Sequence, residues 1–242
     1  MTTPSTELSK LLGVFARLPE SGRVKTRLAA QIGADAATRL YEAFVRDVWR
    51  AISNVPVRRI MVVTPDAGDA LHWFDTLVTG NAEIWTQSGD DLGTRLATFF
   101  DQAFALGAES VVVLGTDSPS LPFDLIEHAF RQLSQHDVVI GPATDGGYYL
   151  LGLNRRSLTD SKPELESFRP FQQIGWGGPD VLRQTIDRVR SAGRKLGLLP
   201  IWYDVDTFDD VRWLQSHLMA IEAAGDVCPC PTTAELLRHL EL

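Results

Sequence analysis

The apolar positions of the chain follow two alternating patterns. Short apolar runs rich in β-branched residues occur at 11–16, 59–63, 82–85, 111–114, 138–140, 148–153 and 196–202, and they predict strands. Between most of them, apolar residues recur three and four positions apart, which predicts helices over 33–53, from 66, and over 94–106, 122–134 and 179–192. Strands and helices that alternate through short connections predict a single-domain α/β fold, in which helices flank a mostly parallel sheet.

The helix predicted over 33–53 repeats its apolar residues every four positions. The stripe and its flank comprise Leu40, Phe44, Val48 and Ile52, widened by Tyr41, Val45 and Trp49. Such a stripe is typical of a helix that packs against a core. We interpret this whole face as core packing, with no functional role for its members.

Acidic residues follow two of the predicted strands. Asp117 comes after the run at 111–114, and Asp145 comes after the run at 138–140. Open α/β sheets bind ligands beyond the carboxyl ends of their strands, so we expect both carboxylates at one edge of adjacent strands. Turn chemistry alone also explains each residue, because one Asp precedes Ser-Pro and the other precedes Gly-Gly.

Two further carboxylates, Asp204 and Asp206, end the last predicted strand. Thr207 is predicted to cap the next helix, and Asp210 completes an acidic variant of the capping box. This cap leaves Asp204 and Asp206 without a structural role of their own. Thr232 is predicted to cap a final short helix.

A basic loop follows the first predicted strand, although the chain as a whole is acidic. Arg17, Arg23, Lys25 and Arg27 lie within eleven positions, with Pro and Gly between them. Guanidinium forks and an ammonium group suit phosphate oxygens. The loop is therefore a candidate phosphate site, and we expect its side chains not to be buried. A solvated basic surface is the alternative.

A second candidate binding loop precedes the helix at 94–106. Its candidate substrate contacts are Gln87, Asp91, Gly93 and Arg95. Glycines let a ligand approach the backbone closely, and free amides at the start of a helix favour anions.

The region 154–178 is irregular and carries aromatic residues, among them Phe168, Phe171 and Trp176. A long loop with aromatics in a compact domain is often a lid or an acceptor wall. Packing of the loop onto the domain is the alternative.

The composition narrows the class of protein. The 242 residues carry a net charge of −8, which makes nucleic acid and anionic membranes poor partners. No apolar run reaches the length of a membrane span, and the polar residues 1–10 are expected to form a disordered leader. Cys228 and Cys230 are expected to be reduced thiols, which favours a cytoplasmic location.

Several common motifs are absent from the sequence. We find no dinucleotide fingerprint, P-loop, nucleophile elbow or zinc-protease spacing of His. This argues against a dehydrogenase, a P-loop kinase, an α/β-hydrolase and a zinc protease. Carboxylates beside a phosphate-binding loop instead suggest a divalent metal, Mg²⁺ or Mn²⁺, held by Asp117 and Asp206, with Asp204 as the substitute for Asp206.

The segments 15–28, 114–122, 141–150 and 204–207 resemble motifs of GT-A-type, Rossmann-like nucleotide-diphospho-sugar transferases. The resemblance is greatest to the small bacterial arsenosugar-biosynthesis or radical-SAM/selenodomain-associated glycosyltransferases, and it covers about residues 11–240. It implies one transferase domain over 11–242, divided into a nucleotide-binding part over about 11–120, an acceptor-binding part over about 121–225 and a C-terminal helix over 232–242.

The resemblance also assigns roles to single residues. Lys25 matches the signature lysine of related nucleotidyltransferases, and Asp117 matches the metal-binding acidic motif. Glycosyltransferases of this fold carry Asp-x-Asp, whereas Asp117 is followed by Ser-Pro. A single Asp at this position, with a second carboxylate late in the chain, is closer to molybdenum-cofactor and phospholactate guanylyltransferases.

The function implied is a metal-dependent glycosyltransferase that moves a sugar from a nucleotide-sugar donor to a small-molecule acceptor. Asp145 would then act as the general base, beside space left by Gly146 and Gly147. Tyr148 and Trp176 would contact the acceptor. A nucleotidyltransferase that releases pyrophosphate and a non-catalytic nucleotide-binding module are the alternatives.

Overall fold

The computed structural model describes residues 9–157 and 169–239. Residues 1–8 of the expected leader, Phe168 and the last three residues of the predicted C-terminal helix lie outside the described residues. Lys10, the last residue of the expected leader, lies in the first strand, so that boundary was wrong.

Within the described residues the chain forms one sheet and helices on both of its faces. The strands are β1 Lys10–Arg17, β2 Arg58–Thr64, β3 Glu83–Thr86, β4 Ser110–Leu114, β5 Val138–Pro142, β6 Tyr148–Asn154 and β7 Leu196–Leu198. The helices are α1 Thr26–Ile32, α2 Ala34–Ala51, α3 Gly68–Asp75, α4 Leu92–Ala105, α5 Asp124–Leu133, α6 Val181–Ser191, α7 Phe208–Ala224 and α8 Pro231–Arg238. Short 3₁₀ turns occupy Ile52–Asn54 and Arg155–Ser157.

The strand order is β3-β2-β1-β4-β6-β5-β7, and β6 runs antiparallel to its neighbours β4 and β5. The mostly parallel α/β fold is therefore confirmed. The expectation that Asp117 and Asp145 follow adjacent strands was wrong, because β6 lies between β4 and β5. Both strands oppose β6, so they point the same way and their carboxyl ends still lie at one edge of the sheet.

Alternation along the strands divides the core into two apolar clusters, one on each face of the sheet. Leu12 and Val14 of β1 pack in the cluster that includes α2, α5 and α7, whereas Leu11 packs in the cluster that includes α4. Gly13 is required by close packing, because a Cβ there would lie 2.3 Å from the ring of Phe99.

Some elements differ from the sequence prediction. Helix α1 was missed, since it has seven residues and begins without a side-chain cap. The helix predicted from residue 122 begins at Asp124, and the last strand ends at Leu198 rather than 202. Thr232 does not cap α8, which begins at Pro231 after the N-cap Cys230. In the described part of the chain, none of the helices is long and apolar enough to cross a membrane.

Candidate functional site

A cavity of about 350 Å³ opens at the carboxyl edge of the sheet. It is lined by the end of β1, the end of β4 and the start of β6, together with the beginning of α4. The chain order of the strands reverses between β1 and β4. Ligands of open α/β sheets bind at such a switch point, so this cavity is the candidate site.

Lys25 connects the basic loop to two carboxylates from distant parts of the chain. Its Nζ donates hydrogen bonds to Asp117 Oδ1 and, at 2.7 Å, to Asp206 Oδ1, across sequence separations of 92 and 181 residues. Arg27 Nη2 donates to Asp206 Oδ2 at 2.6 Å. The structure therefore brings together Lys25, Arg27, Asp117 and Asp206, which the sequence proposed for phosphate and metal.

Lys25 is buried, contrary to the expectation for a loop side chain. Only 3% of its side chain is exposed, and its backbone has a φ of 46° and a ψ of 45°. This left-handed conformation is uncommon for residues other than glycine and occurs often at functional sites. Val24 and Leu28 pack in the core on either side and hold the turn in place.

The charges in this cluster depend on one another. Burial lowers the pKa of Lys25, but Asp117 and Asp206 raise it, so the pKa lies above its ordinary value. Burial raises the pKa of Asp206, but Lys25 and Arg27 lower it below its ordinary value. Lys25 and Asp206 are therefore both charged at neutral pH.

The segment that carries Asp206 is fixed by its own backbone. Val205 is fully buried, and its N–H donates to the Asp117 carbonyl oxygen at 2.8 Å. The capping box of α7 is confirmed, since Thr207 and Asp210 make both of its hydrogen bonds. Asp210 Oδ2 also accepts from the Asp206 N–H at 3.0 Å, so the cap orients the candidate ligand beside it.

Asp204 lies close to the cluster but does not contact Lys25 directly. Its Oδ1 accepts a hydrogen bond from the Ser118 hydroxyl at 2.5 Å. Burial, together with the nearby charges of Asp117 and Asp145, raises the pKa of Asp204 to about 6, although the Ser118 hydrogen bond acts to lower it. Local patterns in the sequence do not indicate Ser118 as the partner of Asp204, because the two residues are 86 positions apart.

Asp145 is exposed, and its carboxylate accepts a hydrogen bond from the Gly147 N–H at 2.8 Å. This is the local turn that the sequence left open as an alternative. Gly146 has a φ of 91°, and a Cβ there would lie 2.1 Å from the Pro179 carbonyl oxygen. The space beside Gly146 is thus filled by protein backbone. The role of Asp145 as a base stays a prediction.

The second candidate loop contributes Gln87 and Arg95 to the lining of the cavity. The Gln87 amide donates to the carbonyl oxygens of Ala16 at 3.1 Å and Val62 at 2.9 Å. Arg95 Nε donates to the Gly89 carbonyl oxygen at 2.9 Å. Both side chains are therefore anchored to backbone before any ligand binds.

Asp91 and Gly93 have structural contacts of their own. Asp91 caps α4 by accepting from the Thr94 N–H at 2.7 Å, and this hydrogen bond lowers the pKa of Asp91. A Cβ at Gly93 would lie 2.7 Å from the Phe171 carbonyl oxygen and 2.8 Å from Trp176 Nε1. Gly93 thus lets the 171–176 segment pack on the start of α4.

The remaining candidates are divided between the cavity and the surface. Arg17 and Tyr148 line the cavity, and the ring of Tyr148 meets that of Trp176 edge to face at 6.3 Å. Arg23 is 67% exposed and pairs with Glu20 at 3.5 Å. Tyr41, which the sequence assigned to core packing alone, also lines the cavity.

Two carboxylates of the site are placed so that they could hold a divalent metal together. Asp117 and Asp206 already converge on one cation, the Lys25 ammonium, and their side chains are 47% and 29% exposed. No group of three or more His, Cys, Asp or Glu side chains suited to a metal occurs among the described residues. Mg²⁺ is commonly held by one or two carboxylates plus substrate phosphates, and these two residues match that arrangement.

Comparisons with known proteins identify a family and two relatives with names. Residues 48–178 match a family model described as "Uncharacterized protein conserved in bacteria (DUF2064)". A phosphoenolpyruvate guanylyltransferase of Roseiflexus sp. (strain RS-1) is 30% identical over 205 residues, 81% of each chain. A 2-phospho-L-lactate guanylyltransferase of Methanocaldococcus sp. (strain FS406-22) is 25% identical over 146 residues, 60% of each chain.

Solved structures share the fold. A candidate nucleotide-diphospho-sugar transferase from Desulfovibrio desulfuricans G20 is 32% identical with a TM-score of 0.84, over 96% of this chain and 94% of the other. A 4-diphosphocytidyl-2C-methyl-D-erythritol synthase from Anaerococcus prevotii DSM 20548 is 13% identical with a TM-score of 0.53, over 90% and 100%. The resemblance to nucleotide-diphospho-sugar transferases is supported, whereas the arsenosugar subgroup stays a prediction.

Proposed function

We propose that this chain, which belongs to the bacterial DUF2064 family within the nucleotidyl- and nucleotide-sugar transferases, is a nucleotidyltransferase. Its donor would be a nucleoside triphosphate, and its acceptor a small molecule that carries a phosphate. The observation that carries the proposal is the buried Lys25, fixed between Asp206 and Asp117, of which Asp117 lines the cavity. Such a cluster is suited to a polyphosphate and not to a neutral ligand.

The reaction would form one P–O bond and break another. An oxygen of the acceptor phosphate attacks the α-phosphorus of the donor, and the bond between the α-phosphorus and the bridging oxygen breaks. The products are a nucleotidylated acceptor and pyrophosphate, so charge and atoms balance. The protein must hold both phosphates in line and stabilise the leaving pyrophosphate.

The residues divide these tasks between them. Lys25 and Arg27, with Arg17 and Arg23 of the same loop, would bind the β- and γ-phosphates. Asp117 and Asp206 would hold Mg²⁺ or Mn²⁺, which when bound neutralises charge on the donor and on the leaving group. Asp206 comes from beyond residue 120, so the phosphate site would use both the nucleotide-binding and the acceptor-binding parts of the chain.

The base of the donor is proposed to be guanine. The two curated relatives are named as guanylyltransferases. In this chain, Gln87 uses its amide N–H groups on two backbone carbonyls, which leaves its Oε1 to accept from the N1–H or N2–H of guanine. Arg95 offers donors of the kind that recognise guanine O6 and N7. Adenine lacks the N1–H donor and the O6 acceptor.

Transfer of a sugar from a nucleotide sugar is the second candidate. It is favoured by the 32% identity to the candidate nucleotide-diphospho-sugar transferase from D. desulfuricans over nearly the full length of both chains. In that reaction Asp145 would be the general base toward an acceptor hydroxyl, and Tyr148 and Trp176 would border the acceptor.

The products distinguish the two candidates. The protein is incubated with Mg²⁺ and either nucleoside triphosphates or nucleotide sugars, together with phosphoenolpyruvate, 2-phospholactate or sugar acceptors. We expect Mg²⁺-dependent binding of GTP by calorimetry, and pyrophosphate release that requires a phosphorylated acceptor. Release of a nucleoside diphosphate from a nucleotide sugar would favour the second candidate. A protein that binds neither donor class would contradict both.

A further inference from the structure

Tyr41 lies where two loops of the candidate site meet. It belongs to α2, and its hydroxyl oxygen accepts a hydrogen bond from the Arg17 N–H at the end of β1, at 3.0 Å. The same oxygen accepts from the Thr116 hydroxyl, directly after β4, at 3.1 Å. One side chain therefore joins the loop that carries the basic residues to the loop that carries Asp117.

The ring of Tyr41 also contacts the cation of the site. The Lys25 ammonium lies 5.8 Å from the centroid of the Tyr41 ring and 5.6 Å from that of Phe44, three residues further along α2. Aromatic faces attract a cation at such distances, and the attraction grows when the cation is desolvated. Two carboxylates and two aromatic rings therefore hold the ammonium group together.

We propose that Tyr41 is a positioning residue of the nucleotide site: its hydroxyl fixes the two loops relative to each other, and its ring holds the Lys25 ammonium where phosphate binds. Core packing accounts for the burial of the ring. It does not account for a hydroxyl shared between Arg17, the last residue of β1, and Thr116, which follows β4. These are the two strands on either side of the switch point. The inference rests on the proposed function for the ligand, but not for the contact between Tyr41 and Lys25.

A set of variants separates the hydroxyl from the ring. Tyr41→Phe keeps the ring, and Tyr41→Leu removes both groups; each is made with Lys25 present and in a Lys25→Met background. We expect Tyr41→Phe to weaken binding of Mg²⁺–GTP about 5–10-fold, through the lost hydrogen bonds. Tyr41→Leu should weaken it about threefold to tenfold more. In the Lys25→Met background this additional loss of affinity should disappear.

The same four combinations are melted without nucleotide. The extra fall in Tm caused by Leu relative to Phe should be smaller by about 2 °C or more when Lys25 is Met, because the ring then has no cation to hold. The loss of stability from the cavity that Leu leaves is present in both backgrounds, so it cancels when the two falls in Tm are subtracted. It reports the contact directly, even if no nucleotide binds.

Tyr203→Phe is the matched control. The Tyr203 hydroxyl also has two partners, Ser120 Oγ at 2.9 Å and His217 Nδ1 at 2.7 Å. This variant should lower Tm and leave GTP affinity unchanged. The proposal is overturned if the losses for Tyr41 and Lys25 are additive in both measurements, or if Tyr203→Phe weakens GTP binding as much as Tyr41→Phe. Should the wild type bind no nucleotide, the proposed function fails, while the Tm cycle still decides whether Tyr41 holds Lys25.

Discussion

Two carboxylate clusters join distant parts of this chain, one at the sheet edge and one at the start of α8. Asp47 of α2 is buried and accepts hydrogen bonds from the Thr232 N–H at 3.1 Å and the Thr233 N–H at 2.7 Å. Amides in the first turn of a helix have no acceptor within the helix, and the N-cap residue of α8, Cys230, makes no side-chain cap hydrogen bond. Asp47 thus holds the C-terminal helix against α2, and its oxygens are enclosed by protein.

The Lys25 cluster spans similar distances along the sequence, but some of its carboxylate oxygens remain accessible to a ligand. Its ammonium is enclosed, whereas the carboxylates of Asp117 and Asp206 remain partly exposed. Asp117 also lines the candidate cavity at the sheet edge, whereas Asp47 does not. Long-range polar contact and burial therefore do not distinguish a ligand site from a structural tie. What distinguishes the ligand site is that its acceptors are exposed around an enclosed cation, at the carboxyl edge of the sheet.

The largest effect is expected for Lys25→Met. Hydrogen bonds to charged groups are worth about 1.5–3 kcal/mol each, so loss of the ammonium should weaken Mg²⁺–GTP binding by about 100-fold or more. The protein should still fold, since the two carboxylates left behind reach solvent. Calorimetric titration measures the affinity, and circular dichroism checks the fold.

Lys195→Met is the control for this variant. Lys195 is exposed and precedes β7, at the opposite edge of the sheet. It should bind GTP with wild-type affinity. If Lys25→Met also binds GTP normally, the enclosed lysine is a structural tie of the same kind as Asp47, and the comparison between the two clusters fails.

Asp47→Ala should have the converse effect. It leaves two amides at the start of α8 without their charged acceptor, so we expect a loss of about 2 kcal/mol in the free energy of unfolding and a fall in Tm of about 4–8 °C. GTP affinity of the folded protein should stay at the wild-type value. Asp187→Ala, which removes an exposed carboxylate on α6, should change Tm by much less. Weakened GTP binding in Asp47→Ala would show that the two clusters are not independent.

Local features of the fold and of the candidate site could be predicted from the sequence, whereas the long-range contacts of the two clusters could not. The order of strands and helices, the basic loop and the acidic residues after the strands all follow from local patterns of apolar, charged and turn residues. The partners of Lys25 and Asp47 do not, because each contact joins residues that only the sheet order and helix packing bring together. Tyr41 fits an apolar stripe in sequence, and only its hydroxyl contacts distinguish it from a core residue.

A smaller effect is expected for Gln87→Leu, which tests the base and not the phosphates. The variant removes the acceptor proposed for guanine, so the preference for GTP over ATP should fall by about tenfold, the range of one good polar contact. Affinity for inorganic triphosphate should not change, because Gln87 is not part of the Lys25 cluster. An unchanged preference for GTP would remove Gln87 from base recognition.

The smallest effect is expected for Asp145→Asn, and it discriminates between the two candidate reactions. A phosphate monoester has a second pKa near 6, so an acceptor phosphate is already an anion at pH 7 and needs no general base. For nucleotidyl transfer we therefore expect kcat to change by less than about threefold, since the amide oxygen also keeps the turn bond to Gly147. For sugar transfer to a hydroxyl, loss of a positioned base should lower kcat by about 10²-fold or more.

Asp137→Asn is the control, because Asp137 accepts a hydrogen bond from the Lys195 N–H at 2.9 Å at the opposite edge of the sheet. A large fall in kcat for Asp145→Asn alone, with normal GTP binding, would contradict transfer to a phosphate and return Asp145 to the role of base.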